Sequence, residues 1–331
     1  MFFEYWIVLF SAWAMANVMG LLISDSFKTV VTIYILIPFL VIPQIILSGI
    51  IVKYENLNPQ ISSPKRIPFY GEIITARWAY EGLATYQFME NKYQQHFYEY
   101  DKLKSIANLK ANFHIKELLN KLLFVERNLQ NPEEIEKVAY NLGSLQTEIR
   151  DEYKERMILN SYYEAAPTYT MKYVDQLTPE TINEEILEYT RVYLQTLKQF
   201  YSTTFKASVT EINDIVHSFD LEELKILRRK HTNKSLEDLV TNNKTFDYYT
   251  ETKGDMIQKR DPIYMDPTHP FVKAHFYAPR KMIAGVFVPT IWVNVLIIWL
   301  MTFCLYILLY FRVLKRILDF MEQLSPKKKS Y

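Results

Sequence analysis

Three long apolar runs, 7–23, 30–52 and 283–311, lie at the two ends of the chain, and a polar stretch separates the second from the third. Each run has about the length needed to cross a bilayer, which takes roughly 20 apolar residues. A soluble fold has no use for three such runs grouped this way. The sequence therefore predicts a membrane-embedded protein whose polar middle lies on one side of the membrane. That points to transport, sensing or anchoring rather than to soluble catalysis.

Charge orients the spans. Arg312, Lys315 and Arg316 follow the last apolar run, with Lys327, Lys328 and Lys329 beyond them. Lys and Arg accumulate on the cytoplasmic side, so the C-terminus is expected inside and the polar middle outside. The short 24–29 hairpin, with Lys28 as its basic residue, then faces the cytoplasm. The net charge of +1 gives no basic field for nucleic acid. The single cysteine, Cys304, falls in the last run, so no intrachain disulfide forms and the polar middle must hold together by packing. Tyr (25) and Phe (20) are abundant, as suits a chain that meets a membrane interface. The first run lacks the basic leader of a signal peptide and a second run follows it closely. Met1 stands almost at the start of a span, and the chain is expected to be a piece of a longer protein.

The expected fold class is an all-α membrane protein. Two transmembrane helices occupy 1–52 (5–23 and 30–52). A proline connector and a re-entrant or interfacial helix occupy 53–90, an extracytoplasmic helical domain 91–282, the last span 283–312, and a basic cytoplasmic tail 313–331. Within the second span, Pro38 and Pro43 each remove a backbone hydrogen bond. They form either a plain kink or a hinge near a substrate path. Ser48 and Gly49 near its outer end are small enough to admit a neighbouring helix. Pro59, Pro64 and Pro68 mark the connector. The segment 72–89 reads as a helix, with Ile73, Ile74, Trp78, Leu83 and Phe88 apolar, and with Arg77 and Glu81 four apart on one face. At a surface that pair contributes at most about 0.5 kcal/mol; dipped into a membrane, pairing is what lets the two charges reside there.

In the middle, Ile115, Leu118, Leu119, Leu122 and Val125 keep helical spacing. Asn131-Pro132-Glu133-Glu134 has the grammar of a helix start, and Thr178-Pro179-Glu180 repeats it. Ile182, Ile186, Tyr189, Tyr193, Leu197 and Phe200 mark a long amphipathic helix. Ile212, Ile215, Val216 and Phe219 continue it as bundle core, and Asp220 caps a helix over 221–230. The proline- and aromatic-rich 261–279 reads as irregular chain leading into the last span.

No phosphate-binding glycine loop, HExxH or GxSxG motif occurs in these residues. No catalytic, cofactor-binding or metal site is therefore expected in this chain. His269 and His275 are the closest histidines and carry little weight as ligands. The carboxylate pairs Glu133/Glu134, Glu184/Glu185 and Glu222/Glu223 read as solvated helix charge. Asn233-Lys234-Ser235 and Asn243-Lys244-Thr245 fit the glycosylation pattern, which arises readily by chance.

Several local patterns then combine. Ser11-Ala12 and Gly20-Leu21 lie in the first run. Pro38-Phe39 and Ser48-Gly49-Ile50-Ile51-Val52 lie in the second. The proline connector follows, and then Arg77-Trp78-Ala79-Tyr80-Glu81. In that order they resemble the C-terminal part of an ABC-2 type permease of the White (ABCG) class. The residues 258–267 and 275–281 are similar to the region before the last span in bacterial ATPase–permease fusion transporters. The resemblance implies that these are the fourth, fifth and sixth spans of an exporter in a bacterial inner membrane. It further implies a partner ATPase domain that holds ATP and Mg and a second permease half, most simply an identical one. Pro38, Pro43, Ser48 and Gly49 would then line or gate the path, and Arg77 and Glu81 would brace the re-entrant helix. The insertion at about 91–250 is larger than the family pattern, and no motif assigns it a role. The other reading is a membrane-anchored extracytoplasmic helical sensor or scaffold.

Overall fold

A computed structural model of the full chain describes residues 1–51, 54, 67–160, 169–252, 254–269 and 271–324. In chain order the helices are α1 (Phe2–Ser26), α2 (Val30–Ile46), α3 (Phe69–Glu72), α4 (Thr75–Met89), α5 (Tyr98–Leu109), α6 (Ile115–Asn128), α7 (Ile135–Asn160), α8 (Glu184–Ser218), α9 (Leu221–His231) and α10 (Lys234–Val240). The hairpins β1 (Tyr249–Thr252) with β2 (Asp255–Gln258), and β3 (Arg280–Ile283) with β4 (Val286–Pro289), precede α11 (Thr290–Tyr310) and α12 (Val313–Leu324). The protein is thus mostly helical, as expected, with, among the described residues, two small antiparallel hairpins that the periodicity did not signal. It divides into two compact units, Met1–Gln87 with Phe271–Tyr331, and Phe88–Pro270.

In the first unit α1 and α11 are the two helices, among the described residues, long and apolar enough to cross a membrane. They pack on each other through Val8, Ile291 and Val295, and through Met15 and Ile298. Ser11, fully buried, accepts the Trp299 indole N–H at 3.0 Å. Their other faces expose Trp6, Leu9, Trp13, Leu300 and Phe303. The outward apolar surface is what a lipid-facing helix requires.

The second expected span is shorter than its apolar run. α2 has 17 residues and no buried side chain, and falls short of the roughly 20 that span hydrocarbon. Its end is set locally. Ser48 Oγ donates to the Ile45 carbonyl at 2.7 Å, and Gly49 takes φ +85°. A Cβ at Gly49 would stand 2.6 Å from the Phe276 ring, so both the backbone and the contact require glycine. The helix of the third run also begins later than the run itself, at Thr290. Residues 280–289 are the β3–β4 hairpin, turned by Ala284 and Gly285, both with positive φ. Paired positive φ is the two-residue hairpin turn that suits strand twist, and β-branched Val286 and Val288 favour a strand over a helix there. The C-terminal segment is α12 as far as Leu324 rather than a plain tail. The proline connector with Pro59 and Pro64 lies outside the described residues.

In the second unit Ile115, Leu118, Leu122 and Val125 of α6 are buried, as their spacing predicts. They pack with Leu142, Leu145 and Ile149 of α7 and Ile186, Leu194 and Leu197 of α8. Asn131 caps as read, accepting from the Glu133 N–H at 3.1 Å. Asp220 accepts from Glu222 and Glu223 and starts α9 at Leu221. Thr178 does not cap α8; Asn183 does, accepting from the Ile186 N–H at 2.9 Å, while Pro179 sits in a turn closed by Thr181 N–H to Thr178 O. Ile212, Ile215, Val216 and Phe219 lie on α8 or at its end but are only half-buried and outside the core. The distal half of α8 has lost the neighbours that cover its first half.

Candidate functional site: a buried charge cluster on α4

α4 presents Ala79 and Leu83 to α1 and α11. Gly82 allows the close approach: a Cβ there would meet Ile291 Cα at 3.4 Å. On the adjoining face lies a cluster of four charges. Arg77 and Glu81, predicted as a pair, are in contact at 3.0 Å and both are fully buried. Lys281, from β3, donates to the same Glu81 Oε2 at 2.7 Å and to Asn294 Oδ1 at 2.9 Å. Asn294, in the first turns of α11, returns its amide to Glu81 Oε2 at 3.0 Å and to the Trp78 carbonyl at 2.8 Å. Arg77 also donates to the Gly71 carbonyl at 3.2 Å and to the Glu72 carboxylate. Its guanidinium lies over the Trp78 ring, as does the Lys281 ammonium at 4.4 Å.

Two cations and two anions cancel, which is the condition for burying them at all. Burial would push the Glu81 carboxyl up, but Lys281 and Arg77 outweigh it, so the group sits below its ordinary value. Burial pulls the Lys281 ammonium down to about 8 against the pull of Glu81. Burial raises the Glu72 carboxyl despite Arg77. Glu81 Oε2 takes three donors while Oε1, equally buried, has none. The cluster ties α4 to the β3 strand and α11, which lie about 200 residues further along the chain. It is a clamp with a spare acceptor, and it holds no nucleophile beside a base.

The candidate path residues lie elsewhere. Pro38 is exposed and Pro43 half-buried on the unpacked α2; Ser48 and Gly49 form the turn beyond it. One polar link joins α2 to α4: Gln44 Oε1 accepts from the Ala76 N–H at 3.2 Å. Reading by motif missed Lys281, Asn294, Glu72 and Gln44. The usable signal was a lysine and an amide at the entrance of an apolar run, since such groups in apolar surroundings need partners.

The second unit carries its own buried polar network. A π-helical turn, Lys110–His114, joins α5 to α6. The wider turn brings both its end residues to α7. Lys110 pairs with Glu155 at 2.6 Å and His114 Nε2 meets Glu148 at 2.7 Å. Glu152 accepts from Arg156 and Tyr201. Burial, and then Lys110, hold the His114 imidazole below its ordinary value against Glu148. A small cleft of about 40 Å³ opens beside Lys110, Glu155, Tyr201, Gln258 and Asp266. Asp266 is already paired with Lys102 at 2.8 Å. Among the described residues no group of three His, Cys, Asp or Glu side chains is placed to hold a metal.

No family model, no curated protein and no solved structure matches this chain.

Proposed function

We propose that this chain is part of the transmembrane permease of an ATP-driven exporter of the White class. It would form a substrate path by alternating access with a second, most simply identical, half. The observation that carries the reading is the Arg77–Glu81–Lys281–Asn294 cluster. A simple anchor has no need to tie a short helix to its last span through four buried polar side chains. A permease that moves its re-entrant helix and last span as one body has that need. On this reading α4 is the re-entrant helix, and the Phe88–Pro270 unit is extracytoplasmic. Pro38, Pro43, Ser48 and Gly49 then border the path, and ATP and Mg act at a partner ATPase domain. The membrane is a bacterial inner membrane with the C-terminus inside. Single cysteines at Glu188 and Lys225, in a C304S background, test this in intact cells. The expected result is labelling by an impermeant maleimide from outside; labelling only after lysis would end the proposal.

A second reading is a membrane-anchored extracytoplasmic sensor or scaffold. The self-contained core of the Phe88–Pro270 unit favours it. The two readings part on the cluster. Lys281→Met should abolish ATP-dependent transport in the exporter and leave a scaffold's binding through Phe88–Pro270 unchanged.

A further inference from the structure

We propose that α12 is a membrane-surface helix, lying in the interfacial layer of the bilayer with its apolar face toward the acyl chains. This rests on the membrane reading of α1 and α11 and is independent of what is transported. In VLKRILDFMEQL the residues Val313, Leu314, Ile317, Leu318, Phe320 and Met321 fall on one half of the helix. Lys315, Arg316, Asp319 and Glu322 fall on the other. The apolar half is open: Ile317 is 50%, Phe320 61% and Met321 60% exposed.

What covers that face follows from where the helix is held. α11 ends at Tyr310, and the chain turns at Arg312, with φ +50°, directly into α12. With two residues between the helices, α12 starts at the boundary that α11 reaches. Exposed Tyr306, Tyr310 and Phe311 mark that end with the aromatic residues typical of a membrane–water interface. The polar side is tied to the α1–α2 turn, which joins two apolar helices and so lies at the same boundary. Lys28 pairs with Glu322 at 2.7 Å and Asp319 at 3.4 Å, and Arg312 reaches Asp25 at 3.6 Å. A helix with one apolar face and one charged face, pinned at that level, inserts its apolar side into the headgroup–acyl boundary. Lys315 and Arg316 on the helix, and Lys327, Lys328 and Lys329 beyond it in sequence, suit anionic headgroups.

The test uses the full chain in vesicles of phosphatidylcholine and phosphatidylglycerol, in a C304S background. Single cysteines replace Phe303, Arg316, Ile317 or Phe320 and carry an environment-sensitive fluorophore. Ile317→Cys and Phe320→Cys are expected to be blue-shifted and quenched by spin-labelled lipid at a depth of about 5–10 Å. Arg316→Cys should be quenched by aqueous iodide instead. Equal iodide access at 316, 317 and 320 would overturn the proposal, as would probes at 317 and 320 shielded from both quenchers, which would mean a protein cover. Phe303→Cys separates the two readings. Lipid quenching at 303 with none at 317 or 320 overturns the surface helix alone, whereas no quenching at 303 overturns the membrane reading and this proposal together.

Discussion

Lys281 Nζ lies 2.7 Å from Glu81 Oε2, a contact across 200 residues of sequence that closes a cluster already containing Arg77. Arg77, Glu81 and Lys281 are buried, Glu72 is half-buried, and each has a partner of opposite charge. The cost of such an arrangement appears only when one member is removed.

Glu81→Ala should therefore be far more harmful than a surface change. It leaves Arg77 and Lys281 buried with their shared acceptor gone, a loss of about 3–5 kcal/mol for a broken buried pair. The double variant Glu81→Leu/Lys281→Met should recover part of that. Thermal unfolding in detergent, run as a double-mutant cycle, checks both. Additive losses would mean the two residues do not interact.

Lys281 also gives the first unit a pH signature. Its ammonium is lowered to about 8 from an ordinary 10.5. The unfolded chain holds the proton over that interval and the folded one does not, so the contribution is fully present above the unfolded value and is lost as pH falls through about 8. Stability of the first unit should rise from pH 8 toward pH 10, and Lys281→Met should flatten the rise.

His114 gives the second unit a signature at lower pH. Its folded value lies below the ordinary 6.5. Its contribution is complete above 6.5 and disappears as pH falls through the folded value, where a buried imidazole must take up charge beside Lys110. Urea unfolding of the Phe88–Pro270 unit should show a loss on acidification below 6.5 that His114→Phe reduces. An unchanged acid slope in the variant would assign it to other groups.

Gly49→Ala combines a positive φ with a clash against Phe276. The backbone term alone is about 1–2 kcal/mol. Gly20→Ala, with nothing within 4 Å, should be nearly neutral in the same melting assay.

The Phe88–Pro270 unit has a core of its own and should fold when expressed alone. Leu194→Ala, at a fully buried core position, should then cost about 2–5 kcal/mol. A broad, non-cooperative melt of the isolated unit would show that it depends on the rest of the chain.

The legible features were those with a local cause. Apolar length marked α1 and α11, helical spacing marked α6, and Asn131 and Asp220 announced their helices because a side-chain acceptor next to free N–H groups acts within one turn. Arg77 and Glu81 were readable as a pair for the same reason, being one turn apart. What hydropathy overstated was the helical reach of the second and third runs. An apolar stretch does not reveal where the backbone stops being helical, and Gly49, Ala284 and Gly285 decided that through positive φ.

By itself, then, the sequence determined the two long apolar helices, the mostly helical character and the starting points of several helices, because each follows from interactions within a few residues. The tertiary structure alone decided that Lys281 and Asn294 join Arg77 and Glu81. A strand, an apolar helix and α4 had to come together before their charges and amides could satisfy one another, and no spacing rule reaches across 200 residues.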